Sequence, residues 1–269
     1  MFDKESRLRQ ILSDMGGVLV AFSGGVDSAY LLHIAHQVLG ERCLAVTALS
    51  PSYSEEEQQR AVALARQMGA RHEMLSTREM ENPDYVKNGP DRCYFCKEEL
   101  FTRLEPVAAQ HDLAWIAYGA ITDDLGDFRP GQRAAQEHGI RSPLVEAGLC
   151  KTEIRDLSRA AGLPTHDLPS GACLSSRFAY GNPIVVEKLR GIEAAERMLR
   201  GAGLRNVRVR HHGSTARIEV DVDSLPQVTQ GPLRESLLTH LKGMGYTYVT
   251  LDLQGFRSGS MNEELKRRG

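Results

Sequence analysis

The run Gly16-Gly17-Val18-Leu19-Val20-Ala21-Phe22 is apolar and rich in β-branched residues, and it stops at Ser23-Gly24-Gly25. Apolar residues at helical spacing follow at once, from Asp27 to Leu39. A buried strand that turns through glycines straight into a helix is the opening unit of a parallel sheet covered by helices. The pattern then repeats. Residues 5–15 read as a short amphipathic helix, and Cys43–Leu49 as a second apolar strand. Ser54 opens a helix, with Glu57 in capping-box position and Gly69 as its stop. Arg71–Leu75 is a weaker strand, Cys96–His111 a helix, Ala114–Tyr118 a strand, and Lys151–Ala161 a helix closed by Gly162 and Pro164. This alternation predicts the α/β class with a doubly wound parallel sheet, whose ligands bind outside the carboxyl ends of the strands. Ser23–Ser28 falls at such an end.

Residues 166–183 have poor periodicity and several Gly, Pro and Ser, which marks a linker or active-site loop. Beyond them the pattern changes. A helix over Val186–Arg200, strands over Val207–His211 and Ala216–Val222 around the turn His212-Gly213-Ser214, a helix over Pro232–Met244 and a strand over Tyr248–Leu253 predict a smaller α+β domain. The expected division is residues 1–165, the loop 166–183, and residues 184–269. A chain of 269 residues is long enough for both domains.

Net charge is −2, which weighs against a nucleic-acid partner. No stretch reaches the roughly 20 apolar residues of a membrane helix, and the N-terminal segment lacks the apolar core of a signal peptide. The cytoplasm is therefore the expected compartment. The five cysteines, Cys43, Cys93, Cys96, Cys150 and Cys173, are odd in number and argue against a disulfide framework. Clustered thiols in a reducing compartment read as metal ligands, redox centres or nucleophiles.

Ser23-Gly24-Gly25-Val26-Asp27-Ser28 has the chemistry of a phosphate cradle. Its glycines let the backbone approach an anion. The N–H groups at the following helix start are unpaired and carry partial positive charge. The Ser23 and Ser28 hydroxyls add donors, and Asp27 can hold Mg²⁺ against phosphate oxygens. It is not a Walker A loop, since no Lys follows the glycines. The loop resembles the pyrophosphate loop of the ATP-pyrophosphatase superfamily, whose members split ATP between the α and β phosphates; as a bland alternative, it is a Gly-rich turn with Asp27 capping a helix. A second polar loop, Asp123-Asp124-Leu125-Gly126-Asp127-Phe128-Arg129, should open at the same sheet edge. Asp124 and Asp127 can hold metal or orient substrate, and Arg129 can neutralise phosphate, although a solvated loop has the same composition. Lys97 and Lys151, each near a predicted helix start, are further phosphate candidates.

Cys93-Tyr94-Phe95-Cys96 is a CxxC motif, and Cys173 lies far downstream in a Gly/Ser-rich loop beside Arg177. Three thiolates can hold three irons of a [4Fe–4S] cluster and leave the fourth open to a ligand such as sulfide. Zinc is the main competitor for such a set. Cys43, inside a strand, reads as a buried apolar residue, and Cys150 is undecided. In the segment Val207–His212, the valines should face a core while Arg208 and Arg210 share the opposite face. Two guanidinium groups on one face suit phosphate, with Ser176 and Arg177 able to complete the site. A solvated strand face is the plain alternative, and His211 and His212 read as turn residues.

Taken together, the Ser23–Ser28 loop, Cys93–Lys97, Tyr118–Gly131, Pro169–Phe178 and Leu251–Leu265 resemble one family over nearly the whole chain: the LarE ATP-dependent sulfur transferases. The resemblance implies that ATP adenylates a carboxylate of pyridinium-3,5-biscarboxylic acid mononucleotide, that pyrophosphate leaves, and that sulfur converts the acyl adenylate to a thiocarboxylate for a nickel-pincer cofactor. It implies two donor types. One has a single cysteine that gives up its own sulfur, and Cys173 matches that position. The other has three cysteines holding a [4Fe–4S] cluster with an extra sulfide, and Cys93 and Cys96 place the chain there. It further implies that Ser176, Arg177, Arg208 and Arg210 bind the substrate phosphate, that the C-terminal domain serves substrate binding and assembly, and that the partners are a nucleotide substrate, a sulfide donor and further copies in a trimer-based homo-oligomer. The competing readings are a tRNA thiolase of the same superfamily, an amidating ligase similar to NAD synthetase, and a protein that binds ATP without splitting it.

Overall fold

Four short strands organise the first part of the chain. The computed structural model describes residues 2–125, 130–169, 171–257 and 259–262. In it, β1 (Val18–Ala21), β2 (Cys43–Leu49), β3 (Arg71–Ser76) and β4 (Ile116–Tyr118) form one sheet in the order β3-β2-β1-β4. All three pairings are parallel. The order reverses between β1 and β4, which makes the crevice beyond their carboxyl ends the switch point of the sheet. The expected doubly wound α/β fold is present.

The five expected helices are present among the described residues, and three further α-helical segments, at 83–86, 130–137 and 143–146, lie between them. They are α1 (Phe2–Met15), α2 (Val26–Leu39), α3 (Glu55–Met68), a single turn α4 (Pro83–Val86), α5 (Arg92–Gln110), α6 (Pro130–Glu137), a second single turn α7 (Pro143–Glu146) and α8 (Lys151–Ala160). Strand β1 is buried on both faces, which is why it reads as a continuous apolar run. Val18 and Val20 pack with Leu8 and Leu12 of α1, Leu31 and Leu32 of α2, and Ile154 of α8. Leu19, pointing the other way, packs with Phe101 and Leu104 of α5 and Ala134 of α6. Helix α3 begins and ends as its sequence requires. Ser54 accepts from the Glu57 N–H at 3.1 Å, Glu57 accepts from the Ser54 N–H at 3.3 Å, and Gly69 closes the helix in the left-handed conformation.

Two compact units divide the chain: Met1–Asn82 with Asp91–Gly171, and Pro83–Pro90 with Ala172–Gly269. The second unit has its own sheet of β5 (Val207–His212), β6 (Thr215–Val220) and β7 (Tyr248–Leu251), in the order β5-β6-β7. β5 and β6 are an antiparallel hairpin and β6–β7 is parallel. The hairpin turn is Gly213-Ser214, with His212 already paired to Thr215, and Gly213 supplies the positive φ that a two-residue turn demands. Helices α9 (Val186–Gly201), α10 (Leu225–Thr229) and α11 (Gly231–Gly243) complete the unit.

Sequence periodicity does not disclose that Pro83–Pro90 belongs with the second unit. The segment is stitched there by polar bonds. The Asn88 amide donates to the carbonyls of Ala179 and Asn182 at 2.9 and 3.0 Å, Ile184 N–H donates to the Val86 carbonyl at 2.8 Å, and Tyr85 and Ser175 share a hydroxyl bond of 2.6 Å. His211 is a strand residue and not part of the turn. It is buried, with Nδ1 2.9 Å from the Tyr246 hydroxyl and its ring 4.8 Å from that of Phe178. Among the described residues, no helix is long and apolar enough to cross a membrane.

Candidate functional site

In the first unit the Ser23–Ser28 loop leaves the carboxyl end of β1 and enters α2. Its hydroxyls organise it from within. The Ser28 hydroxyl accepts from Ser23 N–H at 3.3 Å and meets the Ser23 hydroxyl at 3.0 Å. Two glycines are required by close approach. Gly24 has φ +70°, and a Cβ there would sit 3.0 Å from Ala61; a Cβ on Gly119, just past β4, would sit 2.8 Å from the Ser28 nitrogen. The ends of β1 and β4 therefore press together at the switch point.

Asp27, in the first turn of α2, meets Lys151 at the start of α8: the ammonium donates to both carboxylate oxygens at 2.8 and 2.7 Å. Lys151 N–H donates in turn to Asp123 at 2.9 Å, and Asp124 accepts from Ile121 N–H at 3.0 Å. One acid from each loop and one lysine thus gather beside the cradle. Asp127 and Arg129 lie outside the described residues.

A recess adjoins the loop, lined by Phe22, Ser23, Thr47, Tyr53, Gln58 and Lys97 among others. Lys97 therefore sits at the cradle's side, whereas Lys151 sits at its acid. Thr47 fixes one wall by donating to the Phe22 carbonyl at 2.7 Å while touching His72 at 2.8 Å. Burial holds the His72 imidazole below its ordinary value.

Helix α5 starts at Arg92, four residues before the sequence places it, so Cys93 and Cys96 both lie in its first turns, three apart and on one face. Cys93 is exposed and Cys96 half-buried. The Arg92 guanidinium reaches the Cys93 sulfur at 3.9 Å. Cys43 is buried, and burial pushes its thiol up to about 12, which makes it inert. Cys150 caps α8, with Glu153 accepting its N–H at 3.0 Å. Among the described residues, no three His, Cys, Asp or Glu side chains are gathered closely enough to form a metal cage. The donor chemistry still suits iron: two accessible thiols share a helix face in the first unit, and Cys173, half-buried, belongs to the second.

In the second unit the arginines are not on a solvated face. Arg210 of β5 is 5% exposed, Arg208 beside it is half-buried, and Arg177, from the turn Leu174–Arg177, is 4% exposed. Arg177 forms a two-bond fork with Glu196 at 2.9 and 3.0 Å and donates to the Ala172, Cys173 and Ser176 oxygens. Arg210 bonds Glu219 at 2.9 Å and the Ser176 carbonyl at 3.1 Å. Arg208 lies over the Phe256 ring at 5.2 Å. Burial, reinforced by neighbouring Arg177, pulls Arg208 down to about 10. Burial alone would raise the Glu196 carboxyl, but Arg177, Arg208 and the Val209 N–H hold it below its ordinary value. Ser176, Arg177, Arg208 and Arg210 thus belong to one cluster, buried at Arg177 and Arg210 and half-buried at Ser176 and Arg208, in which Glu196 and Glu219 pair with arginines.

The carboxylates Glu196 and Glu219 in this cluster escape a reading by motif. Their signal is an acid inside an apolar run, as in Ile218-Glu219-Val220, which implies a buried cation opposite.

A family model described as NAD synthase matches residues 4–100, the stretch from α1 through the cradle to the CxxC pair. The pyridinium-3,5-bisthiocarboxylic acid mononucleotide synthase of Lactiplantibacillus plantarum is 38% identical over 98% of this chain and 95% of its own length. The chain belongs to the LarE family. An uncharacterised Synechocystis protein is 44% identical to this LarE-family chain, over 98% of each. An uncharacterised Methanocaldococcus jannaschii protein is 27% identical over 90% of this chain and 91% of its own.

Proposed function

We propose that this LarE-family chain is an ATP-dependent sulfur transferase acting on pyridinium-3,5-biscarboxylic acid mononucleotide in nickel-pincer cofactor synthesis. The observation that carries the reading is the Ser23–Ser28 cradle at the switch point, with Asp27 and Lys151 beside it. It occurs in a chain that matches the Lactiplantibacillus synthase from end to end. A carboxylate resists substitution because oxide is a poor leaving group. In the proposed first step a substrate carboxylate oxygen attacks the α-phosphorus of ATP and pyrophosphate departs. In the second, sulfide attacks the acyl carbon, the carbon–oxygen bond to phosphate breaks, and AMP leaves with both electrons of that bond.

The loop N–H groups and serine hydroxyls would bind the departing pyrophosphate where its charge develops. Asp27 and Asp124 would hold Mg²⁺, which supplies charge neutralisation between phosphate oxygens. Lys151 would turn from Asp27 to phosphate, and the recess beside Phe22 would take the base. The cluster of Arg177, Arg208, Arg210 and Ser176 would take the substrate's own phosphate. Cys93, Cys96 and Cys173 would hold a [4Fe–4S] cluster that supplies an open iron for the extra sulfide. Asp127, Arg129 and Lys97 are supporting residues in this reading. The reading also includes a cytoplasmic location and a trimer-based homo-oligomer.

The test is anaerobic incubation with ATP, Mg²⁺, sulfide and the biscarboxylate mononucleotide. Mass spectrometry should find oxygen-to-sulfur exchange, with pyrophosphate released in step. Pyrophosphate release without exchange, or exchange without ATP, would refute the reading. Conversion of Cys173 to dehydroalanine after one turnover would remove its cluster part.

A further inference from the structure

One acid in the first unit is buried with no cation against it. Glu79 is 1% exposed, and no lysine, arginine or histidine among the described residues forms an ion pair with it. Its Oε1 accepts two hydroxyl bonds instead, from Ser50 and from Ser52, the latter at 2.8 Å. Ser50 and Ser52 are themselves buried, their hydroxyl oxygens lie 2.9 Å apart, and Ser52 N–H donates to the Ser50 hydroxyl at 3.0 Å. These serines flank Pro51 in the turn that leaves β2 for α3. A buried carboxylate without a cation is a poor choice for stability, because desolvation of the charge is opposed only by hydroxyl dipoles. A buried polar group of this kind calls for an explanation.

What the carboxylate holds supplies one. The turn Ser50–Ser54 carries Tyr53, which lines the recess beside the cradle, and it ends at the cap of α3, whose first turn places Glu57 and Gln58 in the same lining. Gln58 donates back to the carbonyls of Ser50 and Tyr53 at 3.3 and 3.4 Å. One wall of the recess is thus a network of polar bonds with two carboxylates in it, Glu57 at the cap of α3 and Glu79 buried against Ser50 and Ser52. The cradle wall, by contrast, rests on Ser28 and on the approach of Gly119.

We infer that Glu79 is a positioning residue for the nucleoside part of the nucleotide: it freezes the Ser50–Ser54 turn so that the recess wall is formed before the base arrives. This rests on the nucleotide reading of the cradle. Preorganisation of this kind acts on affinity, since a loose wall must be ordered at the moment of binding. It has no effect on a ligand that uses the cradle alone.

The experiment measures, by calorimetric titration of the full chain, the affinity for α,β-methylene-ATP and separately for inorganic pyrophosphate. Glu79→Ala should weaken the ATP analogue about tenfold and leave pyrophosphate unchanged. Glu79→Gln, whose amide oxygen can still accept from both serines, should stay within about threefold of wild type for both ligands. A purely structural role would weaken both ligands together or neither. Either result, or a Gln variant as impaired as the Ala variant, overturns the inference. Where Glu79→Ala fails to fold, Ser52→Ala removes one of the two donors and should show the same split between ligands at about threefold; no split there overturns it equally. Wild-type chain that binds neither ligand overturns the nucleotide reading itself, and this inference with it.

Discussion

Lys151 touches both oxygens of Asp27. The acid proposed for Mg²⁺ is therefore already held in place by a cation that can exchange its partner for phosphate. Asp27→Ala should lower ATP-dependent pyrophosphate release by about 100-fold or more, the scale seen when one group facing developing charge is removed. Lys151→Ala should cost less, since Mg²⁺ and the loop N–H groups would remain. A phosphate-release assay coupled to pyrophosphatase reads both. A second residue makes a prediction about acid. Burial, with Lys188 and His212 acting in the same direction, pulls His211 down to about 4. The unfolded chain takes its proton near 6.5. Between those values the unfolded state binds a proton that the folded state refuses, so this contribution is complete above pH 6.5 and is lost as pH falls towards 4. The slope approaches about 1.4 kcal/mol per pH unit within that window. Urea unfolding at pH 7.5 and pH 5 should show the loss, and His211→Gln should lose less over the same interval.

Among the elements, α3 has the clearest local specification. Its capping box satisfies two of the first-turn N–H groups and carries Glu57 and Gln58 to the recess. Ser54→Ala should cost about 1 kcal/mol in urea unfolding, the usual worth of such a cap. Helix α5 has no comparable signal. Asp91 precedes it without a side-chain cap bond. Its start is settled by packing against α6: a Cβ on Gly131 would lie 3.3 Å from the Cys93 carbonyl. Spacing alone therefore points to Cys96 as the start, four residues late. Strand β5 misleads in another way. Alternation of Val and Arg is the mark of a half-solvated strand, yet Glu196 from α9 and Glu219 from β6 turn its polar face into a second interior. Alternation reports two faces and cannot tell a wet one from a face closed by paired charges.

For the molecule as a whole, the three thiols proposed as cluster ligands give the sharpest prediction. After anaerobic reconstitution with iron and sulfide, the chain should bind iron with the broad visible absorbance of a cluster. Cys93→Ala, Cys96→Ala and Cys173→Ala should each lose most of it, while Cys43→Ala and Cys150→Ala should keep it. A colourless product with one zinc per chain would end the cluster reading. The Cys43 exception follows from its burial in β2 and the Cys150 exception from its capping role.

Local patterns along the chain determined the order of the four strands and of α1, α2, α3, α5 and α8 in the first unit, the glycine cradle between β1 and α2, and the frame of α3. Each depends on periodicity, on a side chain bonding its own helix start, or on a backbone angle that only glycine adopts easily, and such causes act over a few residues. Tertiary structure alone decided that Pro83–Pro90 belongs with the second unit, that Lys151 meets Asp27 from 124 positions away, that Glu79 supports the recess wall, and that Arg177 and Arg210 are interior. These depend on which distant group arrives to replace water around a charge or an amide. No local period encodes that arrival; it becomes visible only once the sheet has brought the ends of its strands together.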